Sequence, residues 1–158
     1  MDVVLMTKDA AVALHGPIAV SSVNGKLTAP LVQRLSDVCA DHRAQYRGRE
    51  ISLTLTREGM LLPDAEARKL MNEMSAGPEV ASVVVVVIDS TGFWAAAARG
   101  VIASLSLVTK AVPKATKTVA EALAFLAPYL KNDPDCQDIA ALEKQLVAFR
   151  DQHLRFEG

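Results

Sequence analysis

Asp89-Ser90-Thr91-Gly92 holds two hydroxyls between a carboxylate and a glycine. It follows a run of valines directly and precedes Phe93-Trp94. Small polar residues at such a strand-to-helix step cap the free N–H groups of the helix. The same N–H groups and the helix dipole would favour a phosphate carried on Ser90 or Thr91. Trp94 is the chain's one tryptophan. Adjacent aromatics on a helix point about 100° apart and seldom share one core. Phe93 and Trp94, with Asp89 and Gly92, are therefore the candidate partner-binding residues, since Trp is enriched at interface hot spots.

The other reactive residue types fall in no working pattern. His15, His42 and His153 lie far apart with no HxxxH or HExxH spacing, and Cys39 and Cys136 form no CxxC. Neither a metal site nor a disulfide framework is expected. His15, just before Gly16-Pro17, suits a strand end better than a catalytic base. There is no GxSxG elbow, no GxxxxGK[ST] and no GxGxxG, and Gly25-Lys26 lacks the glycine spacing of a phosphate loop. Asp64, Glu66 and Glu73 share a helix with Arg68 and Lys69, as on a solvated face. Lys110, Lys114 and Lys117 suit a lysine-guarded edge strand as well as an anionic partner. No catalytic residue, metal or cofactor is expected.

Composition narrows the classes further. The chain has 158 residues, 17 basic against 18 acidic, with 51% hydrophobic and 4% aromatic residues. That length and apolar share suit one real core and exclude a disordered chain. Balanced charge argues against nucleic acid and against electrostatic docking on anionic membranes. The segment Gly92–Thr109 is interrupted by Arg99 and diluted by small residues, so no membrane span is expected. Without a signal-peptide pattern, a cytoplasmic location is the expectation.

The elements that must position these residues follow from periodicity. Segments 3–5 and 10–19 suggest two strands with a turn at 7–9; Gly16-Pro17 breaks the second, and Asn24-Gly25 is a further turn. Leu31, Leu35, Val38 and Cys39 mark a helix over residues 30–44, with Thr28 as its cap and Pro30 in its first turn. Ile51, Leu53 and Leu55 alternate with Ser52, Thr54 and Thr56, which predicts a strand with one buried face. A helix over 64–75 puts Ala67, Leu70, Met71 and Met74 on one side. Ser82–Ile88, with five consecutive valines, predicts a central strand covered on both faces. A small-residue helix over 93–109 follows, then a short strand or link at 112–117. Thr118 and Glu121 have capping-box spacing before a helix to Leu130. After the break at 132–135, a last helix over 137–154 carries Ile139, Leu142, Leu146, Phe149 and His153, and its stripe must be buried in this chain or in a partner. Alternating strands and helices predict an α/β layered fold, with the later strands parallel.

Three features carry a resemblance: Gly25-Lys26-Leu27-Thr28 opening a helix after paired strands; the valine strand followed by Ala98-Arg99-Gly100; and Lys117–Leu126, a short basic strand before an acidic-Ala-Leu helix. Over about residues 1–130 the chain resembles the SpoIIAA-like branch of the STAS superfamily. The resemblance implies a mixed sheet packed by helices over residues 1–131, with 132–158 as an extra C-terminal helix. It also implies a non-enzymatic, bacterial-type signalling or scaffolding module. Its partner would be a regulatory protein, a kinase or a second copy in a homodimer. Asp89-Ser90-Thr91-Gly92 is similar to the phosphorylated Asp-Ser-Ser-Gly loop of anti-anti-sigma factors, except that here it abuts the valine strand. The alternative is a hydrophobic small molecule or lipid held between sheet and helices, with room under the small residues 95–103.

Overall fold

A five-valine segment has no polar side to show to water, and β5 (Val83–Val87) lies inside the sheet between two parallel neighbours. The computed structural model describes residues 1–56, 61–77, 81–89, 92, 95–97, 99–100 and 110–156. Around β5 stand β1 (Asp2–Met6), β2 (Ala10–His15), β3 (Ile18–Val23), β4 (Ile51–Leu55) and β6 (Val112–Thr116), in spatial order β1-β2-β3-β4-β5-β6. The first three strands are antiparallel and the last four parallel. The chain is thus α/β, with a mixed six-stranded sheet.

The early part departs from expectation. The apolar run at 10–19 is two strands and not one, because Gly16 takes φ +51° and folds the chain into the β2–β3 hairpin. A Cβ on Gly16 would stand 2.9 Å from Asp133 Oδ1, so close approach also demands glycine there.

The first two parallel crossovers are helical. After β3 come α1 (Ala29–Val38) and α2 (Ala40–Gln45), in place of the single helix over 30–44. They meet at Cys39, where Arg43 Nη2 donates to the Ser36 carbonyl at 2.6 Å and to Ser36 Oγ at 2.9 Å. Thr28 is the cap of α1 by position but makes no side-chain hydrogen bond there. The helix α3 (Ala65–Ala76) is capped by Asp64, which accepts from Ala67 N–H. After β6, Thr118 caps α4 (Val119–Leu130) by accepting from Glu121 N–H, while the Glu121 carboxylate accepts from Lys117 N–H. A short 3-10 turn, Pro134–Cys136, leads to α5 (Ile139–Leu154), capped by Asp138.

The two faces of the sheet differ. On one, Ile18, Val20, Ile51, Leu53, Leu55 and the odd-numbered valines of β5 meet α4 and α5 in one buried cluster. Leu123, Leu126, Leu142, Leu146 and Phe149 close it, so the stripe of the last helix is buried within this chain. On the other face lie α1 and α3, over Val12, Ser21, Ser52, Thr54 and Val84, and here the fit is loose. Among the described residues no helix is long and apolar enough to cross a membrane.

Candidate functional site

Side chains on the looser face alternate with the tightly packed ones. Ser52 and Thr54 fall between Ile51, Leu53 and Leu55, and Val84 between Val83 and Val85. Small polar side chains from β3 and β4 meet there, and Ser21 Oγ lies 3.1 Å from Thr54 Oγ1. They cannot fill the space between sheet and helices, and a cavity of about 270 Å³ remains. Its roof is Val32, Leu35 and Cys39 from the α1 side and Met71 and Met74 from α3. These methionines are half-buried because they border space where a packed core would press on them. Unbranched, polarisable thioethers suit a wall that must adapt to an occupant.

One end of the cavity is polar. Arg43, Ser36, Cys39 and Glu50 line it together. Glu50 is 4% exposed and His42, behind it, 6%. His42 Nε2–H donates to the Gly16 carbonyl at 2.9 Å, a contact only a protonated nitrogen can make. Nδ1 lies 3.0 Å from Glu50 Oε1, so a single proton is shared between the imidazole and the carboxyl. Burial pushes the Glu50 carboxyl up from 4.5, although the bond to His42 and nearby Arg43 pull the other way. Burial, with the Glu50 charge, also pushes the Cys39 thiol up to about 11. Cys39 is thus a poor nucleophile at neutral pH.

The other two histidines are structural ties. His153 Nε2–H donates to the Thr7 carbonyl at 3.1 Å, and Ser22 Oγ–H donates to Nδ1 at 2.8 Å. A Ser–His contact would suggest catalysis, yet Ser22 is fully buried and His153 is 1% exposed, so no substrate reaches them. His15 Nε2–H donates to the Asp135 carbonyl at 2.7 Å and fixes the turn before α5. Cys136 is buried, its thiol pushed up to about 12 by burial and the nearby Asp133. Among the described residues no three metal-ligating side chains converge.

Of the residues singled out by sequence, Asp89 and Gly92 are described. Asp89 lies two residues past the end of β5, and its Oδ2 accepts from Arg150 Nη1 of α5 at 3.4 Å. Gly92 takes φ +91°, and its carbonyl accepts from Ala96 N–H. Ser90, Thr91, Phe93 and Trp94 lie outside the described residues. Of residues 95–103, under which room is expected, Ala95 is fully buried against Ile88, Leu62, Val86 and Ala115, while 98 and 101–103 lie outside the described residues. Lys114 stands on edge strand β6 with its ammonium 5.4 Å from the Phe125 ring centre. Asp64 caps its helix and pairs with Lys26 at 3.6 Å.

Sequence reasoning missed Arg43, Glu50 and the Ser21-Ser52-Thr54 floor. Their signal was available in part: Ser52 and Thr54 alternate with the buried aliphatic residues of β4, a strand flanked on both sides by others. No family model, curated protein or solved structure matches this chain.

Proposed function

We propose that this chain is a non-enzymatic, cytoplasmic binding module that holds a small apolar molecule between its sheet and the α1–α3 layer. The observation that carries this is the cavity of about 270 Å³, near the lower end of ordinary ligand pockets. Its walls are mostly aliphatic and thioether, with a few convergent polar groups, which is the makeup of a site that binds by burial and orients by hydrogen bonds. The test is native mass spectrometry after incubation with single-chain apolar probes such as decanol. A 1:1 complex is expected, and it should vanish in Val84→Trp, which fills the space. No adduct, or an adduct that survives Val84→Trp, contradicts the reading.

A second reading is contact with a regulatory protein at the Asp89 loop, in the manner of the STAS superfamily. The Asp89–Arg150 pair supports it by joining the loop to α5, so that both could form one surface. Ser90 and Thr91 would carry the switch, because a phosphate there could take Arg150 from Asp89. Phosphomimetic Ser90→Asp with Thr91→Asp should change partner recovery in a pull-down; unchanged recovery sinks this reading.

A further inference from the structure

Among the described residues lining the cavity, Arg43 is the one cation and Glu50 the one carboxyl. Buried or half-buried cations ordinarily face a carboxylate that neutralises them. Among the described residues, no carboxylate comes within ion-pair distance of Arg43. Glu50 is near enough for the Arg43 charge to act on its carboxyl, but it forms no ion pair with Arg43 and its Oε1 is engaged with His42. Yet Arg43 is not loose. Its Nη2 is held by the Ser36 carbonyl and hydroxyl, at 2.6 and 2.9 Å. A guanidinium carries five N–H donors in a planar fork, so the remaining donors stay free for an oxyanion. A fixed fork with no carboxylate at ion-pair distance, at one end of an apolar cavity, is a recognition element for an acid with a greasy tail.

We infer that Arg43 receives the carboxylate of an aliphatic acid whose chain lies between Met71, Met74 and Val84. The inference rests on the cavity being a ligand site, as proposed above. Length follows from volume. A cavity of about 150 Å³ accommodates benzene, so about 270 Å³ suits a ligand with roughly ten to twelve heavy atoms. Decanoate meets both requirements. Glu50 lines the same end of the cavity, with its Oε1 held at His42.

Calorimetric titration with decanoate and decanol, on the full chain at pH 8, separates the two claims. The wild type should bind decanoate about tenfold or more tightly than decanol, the worth of one charge-assisted hydrogen-bond pair. Arg43→Met should abolish that preference and leave decanol binding within about twofold. Arg43→Lys keeps the charge and should keep most of the preference, and it stands in should Arg43→Met fold poorly. Equal binding of the two probes by the wild type, or a preference that survives Arg43→Met, overturns the carboxylate inference alone. Binding of neither probe removes the ligand site itself.

Discussion

A buried imidazole keeps its place only when both ring nitrogens find partners, and His42 and His153 meet that condition. Each spends Nε2–H on a backbone carbonyl from a different element, so each histidine pins a helix to a strand turn. For His153→Ala we expect a loss of about 2–4 kcal/mol in chemical denaturation, because buried Ser22 and the half-buried Thr7 carbonyl lose this partner. A loss below about 0.5 kcal/mol would show that the tie is decorative. Glu50 adds a pH dependence. Its carboxyl is raised in the folded chain, so its contribution to stability is fully present below 4.5 and fades as pH rises through the raised value. Glu50→Gln cannot lose a proton there. Relative to wild type, the variant should gain stability as pH climbs from 4.5 toward 8; a difference that stays flat contradicts the raised carboxyl. None of this was legible in the sequence. Three scattered histidines showed only that no local metal motif exists, and their partners lie as far as 146 residues away.

The elements were easier to read, for reasons particular to each. The valine run is a strand because β-branching stiffens χ1 and no polar residue offers a wet face. The Thr118–Glu121 spacing encodes its own cap, so the start of α4 could be placed to the residue. The β2–β3 hairpin was missed because Gly16-Pro17 reads only as a break in one apolar segment, whereas the positive φ of Gly16 turns the backbone into a second strand. The fate of the last helix could not be read at all. Its stripe fits any apolar surface, and only the packed structure shows Leu142, Leu146 and Phe149 against β2, β3 and α4. We expect Leu146→Ala to cost about 2–5 kcal/mol by urea denaturation, since the side chain is fully buried. A chain ending at residue 132 should lose the cooperative transition, because Leu123, Leu126 and the β2–β3 floor would face water. A truncated chain that unfolds with the full-length midpoint would show that α5 adds nothing to the core.

At the scale of the molecule, the sheet divides its work. The face under α4 and α5 is filled with large aliphatic side chains and holds the fold together. The face under α1 and α3 gives up part of that packing through Ser21, Ser52 and Thr54, and space at an interior face lowers stability unless something fills it. The alternation of β4 was legible, but its polar side suggested solvent, because a strand's pattern cannot tell water from a cavity roofed by helices. The most direct measurement follows the methyl resonances of Met71 and Met74 by NMR while decanol is added. The account predicts saturable shifts at these two methyls with 1:1 stoichiometry, together with a rise in melting temperature that grows with ligand concentration. Unmoved methyls, or weak shifts spread over surface residues without saturation, would contradict the claim that this face is a binding site.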